Sequence, residues 1–356
     1  MKTYLVTGGA GFIGSNYILN LLSNPQDTLR VVNIDALTYA GNLENLQSIE
    51  GDGRHSFVQA DIRDQDAMQQ VFDSYQPDYV VNFAAESHVD RSITNPQVFV
   101  ETNVLGTLTL LNNAKRIWQT ADDEDSYRTG VRFLQVSTDE VYGSLGPEGF
   151  FTETTPLDPH SPYSASKASA DLLVKAFGDT YRLPVNITRC SNNYGPFQFP
   201  EKLIPLMINN AQQHRALPVY GDGLQVRDWL FVEDHCKAIE LVLKRGEPGE
   251  VYNIGGHNER TNMQIVAQII AQLAESLDDP QISEALIQHV ADRKGHDRRY
   301  GIDPAKIGAA LGWQPETPFE EGIVQTIRWY LEHQGWVEHV TSGAYRSYLE
   351  QMYGSR

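Results

Sequence analysis

Thr3-Tyr4-Leu5-Val6-Thr7-Gly8-Gly9-Ala10-Gly11-Phe12-Ile13-Gly14 is the stretch whose reading decides the fold. A short apolar strand runs directly into glycines at 8, 11 and 14, and a helix follows with Ile18, Leu19, Leu21 and Leu22 on its apolar side. The glycines permit a tight turn, close approach of the backbone to a phosphate, and close packing of the helix. The helix in turn offers free N–H groups and its positive dipole end to a pyrophosphate. A second strand, Leu29 to Ile34, ends on Asp35. An acid about 20 residues beyond the glycine turn accepts hydrogen bonds from adenosine ribose hydroxyls and repels a 2′-phosphate. The expected cofactor is therefore NAD, not NADP.

Outward from this unit, strand and helix alternate. Strands are expected at His55–Ala60, Tyr79–Phe83, Val131–Val136 and Val185–Arg189, with helices over Asp64–Tyr75, after Pro96 and after Ser161. Such alternation gives an α/β fold, a doubly wound parallel sheet of the Rossmann type. Asp61-Ile62 and Ala84-Ala85-Glu86-Ser87 fall at carboxyl ends of strands, where a cofactor would lie, and the Ala pair suits a flat ring.

A second informative stretch is Phe133 to Lys167. Its strand breaks into Ser137-Thr138-Asp139-Glu140, and a helix starting near Ser161 carries Tyr163 and Lys167, one turn apart on one face. An ammonium beside a phenol favours the phenolate, so the pair is expected to bring the Tyr163 pKa down toward neutral. Asp139 and Glu140 can share one substrate only if the backbone leaves β geometry there.

Beyond Cys190 the rhythm breaks, and a smaller C-terminal α/β substrate domain is expected. The division places residues 1–190 plus roughly 225–255 in the NAD-binding domain, and roughly 191–224 and 256–356 in the other. The cluster Ala291 to Tyr300, with Arg293, Lys294, His296, Arg298 and Arg299, suits a diphosphate. Helices near 97–118 and 161–182 carry apolar residues nearly all round, which points to a homodimer through a four-helix bundle.

A net charge of −18 argues against nucleic acid or an anionic membrane as partner. No 18-residue apolar stretch occurs, and the chain runs into a strand at once, so neither a membrane span nor a signal peptide is expected. Two cysteines, Cys190 and Cys236, are too few for a disulfide framework and read as reduced thiols in a cytoplasmic protein. No metal is expected.

These motifs together resemble the extended short-chain dehydrogenases/reductases that act on nucleotide sugars, over nearly the whole length. The resemblance rests on residues 7–14, 35–43 (Asp-Ala-Leu-Thr-Tyr-Ala-Gly-Asn-Leu), 84–92, 137–143, 163–167 and 227–230. Thr138-Asp139-Glu140 is similar to the dehydratase branch, since related epimerases and decarboxylases lack the acidic pair. Lys294 stands where the family commonly has Pro. The resemblance implies an NAD site of Gly8, Gly11, Phe12, Ile13, Gly14, Asp35, Ala36, Leu37, Thr38, Asp61, Ile62, Phe83, Ala84, Ala85, Glu86, Ser87, Thr102, Tyr163, Lys167 and Asn193. It implies a dTDP-sugar as substrate, held by Ser87, Thr138, Asn192, Lys202, Leu203, Pro218, Val219, Tyr220, Arg227, Asn262, Asp292, Arg293, Lys294, Gly295 and His296. Its catalytic set would be Thr138, Asp139 as acid, Glu140 as base, and Tyr163 with Lys167. A 4-epimerase or decarboxylase of the same fold, or an idle NAD-sensing scaffold, remains open at this point.

Overall fold

The structure is a computed structural model that describes residues 1–120 and 123–342. In chain order the elements are β1 (Lys2–Thr7), α1 (Phe12–Leu22), β2 (Leu29–Asp35), β3 (His55–Gln59), α2 (Gln65–Tyr75), β4 (Tyr79–Asn82), α3 (Val89–Thr94) and α4 (Pro96–Phe99). Next come α5 (Thr107–Trp118), β5 (Gln119–Thr120), β6 (Asp123–Tyr127), β7 (Arg132–Thr138), α6 (Pro162–Tyr181), β8 (Val185–Cys190), β9 (Asn192–Tyr194) and α7 (Leu203–Gln212). The remainder is β10 (Leu217–Tyr220), β11 (Val226–Phe231), α8 (Val232–Arg245), β12 (Val251–Ile254), β13 (Glu259–Thr261), α9 (Asn262–Leu277), β14 (Ile287–Val290), α10 (Ala305–Leu311), α11 (Phe319–Glu332) and α12 (Gln334–Val340).

Seven strands form one parallel sheet in the order β12-β8-β7-β4-β1-β2-β3. The strand order reverses between β1 and β4, and ligands of open α/β sheets sit at the carboxyl ends beside such a switch. The strands are buried on both faces, as a parallel sheet requires. Val6, Val31, Val81 and Leu134 pack with Ile18 of α1 and Ile239 of α8 on one side. On the other, Leu5, Val32, Val80 and Phe133 pack with Phe72, Leu111 and Val174. Each such side chain contributes about 1.5–3 kcal/mol by leaving water.

The rest is built on smaller sheets, β13-β11-β9 and β10-β14. A core of Ile204, Ile208, Trp229, Ile265, Ile269, Phe319 and Ile327 joins them to α7, α9 and α11. Here the structure corrects two expectations. The segment from about 225 does not belong entirely to the large sheet: α8 and β12 do, but β11 pairs with β9 and β13. Nor does all of the described segment from 256 to 342 stay apart, because Ile307, Leu311 and Trp313 pack into the core behind β1 and α8; residues 343–356 lie outside the described residues. Chain order fixes neither assignment, because strand partners are chosen by long-range packing.

The helix expected over 97–118 is also not uniform. Between α4 and α5 the backbone takes a π-helical turn at Val100–Gly106. Such turns widen a helix locally and occur frequently at functional sites.

Candidate active site

At the carboxyl edge of the sheet, the turn after β1 is pinned to β2 by Gly8 N donating to the Ile34 carbonyl at 2.7 Å. Gly8 has φ +68°, and a Cβ there would lie 2.7 Å from Ala84 N; one on Gly14 would lie 2.3 Å from the Gly8 carbonyl oxygen. Only glycine tolerates both contacts. No side chain caps α1, so its first N–H groups are left for a ligand. At the end of β2, Asp35 accepts from Ala10 N at 3.0 Å and Leu37 N at 2.8 Å. Burial pushes its carboxyl up from the ordinary range, opposed by these two bonds. The cradle and the acid beyond it fit the pyrophosphate and ribose of NAD.

A cavity lies over this cradle. Every NAD-site residue expected from the sequence lines it except Leu37. Leu37 instead sits in a left-handed turn, φ 51°, where its N–H holds Asp35. Thr102 reaches the cavity from the π-helical turn. The next residue, Asn103, went unnoticed in the sequence. It accepts from Glu86 N at 2.8 Å and donates to the Glu86 carbonyl at 3.0 Å and to Ser166 Oγ at 2.8 Å. Ser166 Oγ bonds the Tyr163 carbonyl at 2.7 Å, so one amide braces the loop after β4 against α6. Only the three-dimensional turn reveals it.

Ser161 and Ser164 form a reciprocal cap at the start of α6, with Pro162 at its first position. This fixes Tyr163 and Lys167 in the cavity wall, both buried. Lys167 Nζ donates to the Val136 carbonyl at 2.7 Å, and burial holds its pKa below that of a free lysine, with Asp171 opposing. The expectation for Tyr163 is overturned. Burial first, and the charge of Glu140 next, push its phenol well up, not down. The sequence showed the ammonium but neither the enclosure nor the carboxylate opposite.

Where β7 ends, the backbone turns into a 3₁₀ turn, Asp139–Tyr142, and Thr138 Oγ accepts from Glu140 N at 3.2 Å. Thr138 and Glu140 line the cavity, but Asp139 does not. Asp139 lies behind them, 2% exposed, bonded on one oxygen by the Thr138 hydroxyl at 3.3 Å and unpartnered on the other. Burial, then Glu140, then Asp228 push its pKa well up, so it holds its proton. Burial also raises Glu140, against the pull of Arg227, Lys202 and Arg293.

A second cavity opens from the first. Ser87, Glu140, Asn192, Asn193 and Lys202 border both. The second is walled by Leu203, Pro218, Val219, Tyr220, Arg227, Asn262, Arg293, Gly295 and His296, all expected from the sequence. Arg293 pairs with Asp90 at 2.7 Å, and Arg227 donates to the Asp297 carbonyl at 2.9 Å and lies over the Tyr300 ring at 4.1 Å. A basic wall thus forms inside an acidic protein. Asp292 and Lys294 do not line it. Asp292 faces back to receive His296 Nδ1 at 2.6 Å, and Lys294 is exposed. Gln198, Glu201, Asp297 and Tyr300 were missed and do line it. Among the described residues no cluster of His, Cys, Asp or Glu could hold a metal ion, and no helix is long and apolar enough to cross a membrane.

The parallel sheet, glycine cradle and Tyr/Lys helix place the chain among the extended short-chain dehydrogenases/reductases. More particularly, it belongs to the GDP-mannose 4,6 dehydratase family, which it matches over residues 5–326. It is 56% identical over 348 residues to a dTDP-glucose 4,6-dehydratase of Xanthomonas campestris pv. campestris, covering 97% of this chain and 98% of that one. It is similar to the dTDP-glucose 4,6-dehydratase of Bacillus anthracis in complex with NAD, with TM-score 0.85 and 47% identity over 96% of this chain and 100% of that one. The enzyme of that name from Streptomyces venezuelae, solved with NAD and TYD bound, gives TM-score 0.87 and 46% identity over 95% and 99%.

Proposed function

We propose that the chain is an NAD-dependent hydro-lyase that converts dTDP-glucose to dTDP-4-keto-6-deoxyglucose and water. The observation that carries this reading is the position of Glu140. It borders both cavities, facing Tyr163 on the cofactor side and the basic wall on the other, with a protonated Asp139 behind it. A 4-epimerase needs no acid and base beyond its Tyr/Lys pair.

The glycine cradle and Asp35 would hold NAD, which would supply the hydride acceptor for C4 of the sugar and the hydride donor for C6. The chain supplies the proton transfers. Tyr163 takes the proton of the 4-hydroxyl as its phenolate and becomes the neutral phenol; the Lys167 ammonium and a hydrogen bond from Thr138 favour that phenolate against the burial and the Glu140 charge that oppose it. The ketone at C4 acidifies the hydrogen at C5, and Glu140 removes it. Its raised pKa makes it a stronger base than an exposed carboxylate. Asp139, behind the wall and bonded to the Thr138 hydroxyl at 3.3 Å, gives its proton to the departing 6-hydroxyl, which leaves as water. Asp139 is left as a carboxylate while Glu140, carrying the C5 proton, is neutral, so the pair keeps one negative charge. Lys202, Arg227 and Arg293 hold the diphosphate and offset the acidic charge around it. Labour is so divided between a cofactor-binding unit on the large sheet and a sugar-nucleotide unit on the smaller ones.

Incubation with dTDP-glucose should generate the alkali-induced ultraviolet absorption of a 4-keto-6-deoxy sugar without added NADH recycling. Epimerised hexose with no such absorption would overturn the assignment.

The working form is a homodimer. Val100, Leu105 and Leu172 are 50%, 51% and 58% exposed; the first two lie on the π-helical turn and the third on α6. Much of the remaining apolar surface of these helices, such as Phe99, Leu110 and Leu111, is buried within the chain. Two such helices meeting their copies make a four-helix bundle. Sedimentation at micromolar concentration should give a species of twice 40.0 kDa, and Leu172→Glu should dissociate it; a wild-type monomer at that concentration would remove the idea. Both cysteines are buried and unbridged, which suits a reducing cytoplasm.

A further inference from the structure

Asn193 stands in the wall that the two cavities share. It lies in β9, opposite Leu230 of β11, and α8 begins at Val232. The first turn of α8 therefore brings His235 against β9. His235 is fully buried, and its Nδ1 lies 2.8 Å from Asn193 Oδ1. The Asn193 amide nitrogen donates to the Ser191 carbonyl at 3.0 Å, and Gln198 Nε2 donates to the Asn193 carbonyl at 3.0 Å. An amide oxygen only accepts, so the hydrogen of the His235 ring sits on Nδ1. The other ring nitrogen, Nε2, is buried without a partner. Burial pushes the imidazole down to about 3, which keeps the ring neutral.

We propose that His235 is a positioning residue for the reaction: its Nδ1–H locks the Asn193 side chain so that an amide N–H, not an amide oxygen, is offered at the seam between cofactor and sugar. Turning the amide over would set its oxygen against the Ser191 carbonyl and its N–H groups against Nδ1–H. Both contacts would be repulsive. With the lock in place, one Asn193 N–H holds Ser191 and the second is free for a ligand oxygen, on the nicotinamide carboxamide or on the sugar. Neither the Tyr/Lys pair nor the acidic pair needs His235 for its own geometry.

The test compares His235→Asn, His235→Gln and His235→Leu in the full-length holoenzyme. An Asn amide places its nitrogen where Nδ1 stood, whereas a Gln amide places it near Nε2. His235→Asn should keep kcat/KM within about threefold, while Gln and Leu, which orphan a buried acceptor, should lose about five- to hundredfold. A loss expressed as NAD stripped on gel filtration puts the ligand oxygen on the cofactor, and one expressed in the KM for dTDP-glucose puts it on the sugar. Equal activity of the Asn and Gln variants overturns the proposal. Wild-type holoenzyme carrying 15N-histidine gives a second readout, free of any folding defect. His235 should appear as a neutral ring protonated on Nδ1, and an Nε2–H ring or an imidazolium would refute the lock. The kinetic arm rests on the dehydratase reading, but the tautomer does not, so the two fail separately.

Discussion

Glu140→Gln should lower product formation by about 10²–10⁴, the usual contribution of a general base, while enzyme-bound NADH builds up. The substitution keeps the size of the side chain and the 3₁₀ turn that carries it, and leaves Tyr163 and Lys167 in place. Oxidation at C4 therefore proceeds, though slowed, since a misplaced sugar retards every step. What disappears is proton removal at C5, so little deuterium should enter that position in heavy water. Asp139→Asn separates the two carboxylates. The base remains, and exchange at C5 should survive better than product formation, because the 6-hydroxyl now departs without its acid. Asp139 is suited to that task by burial and by two neighbouring carboxylates, Glu140 and Asp228, which keep its proton on. Wild-type exchange in Glu140→Gln would show that another group is the base.

Lys167→Ala acts one step earlier. The ammonium is buried, bonded to the Val136 carbonyl, and one turn of α6 from Tyr163. Without it, the phenolate of Tyr163 that takes the 4-hydroxyl proton must exist in a site where burial and Glu140 already oppose it. Formation of NADH itself should fall by about 10²–10⁴, with no build-up on the enzyme, in contrast to Glu140→Gln. A buried carbonyl is also orphaned, which costs about 1–3 kcal/mol unless water enters. Lys167→Met, which retains most of the volume, separates that stability loss from the chemistry. Single-turnover absorbance with dTDP-glucose reads both variants, and oxidation at the wild-type rate in either would dissociate Lys167 from the step. Because burial lowers the Lys167 pKa, wild-type oxidation should decline with rising pH earlier than a free lysine would dictate.

By itself the sequence determined whatever depends on neighbours a few residues apart. Gly8, Gly11 and Gly14 between a strand and a helix announce a phosphate cradle, because only a missing Cβ permits the contacts at Ala84 and at the Gly8 carbonyl. Alternating apolar runs announce the parallel sheet, and the spacing of Tyr163 and Lys167 puts them on one helical face. Tertiary structure alone decided the rest. Asn103 became a brace because a π-helical turn aims it at Glu86 and Ser166, 17 and 63 residues away. His235 met Asn193 across 42 residues because β11 pairs with β9. Leu37, Asp292 and Lys294 sit within site-bearing segments yet turn away from the cavities, since neighbouring residues in a loop need not face the same way. The direction of the Tyr163 shift reversed for a related reason. Spacing shows Lys167 one turn away, but it reveals neither the burial that pushes the phenol up nor Glu140, whose charge pushes it the same way.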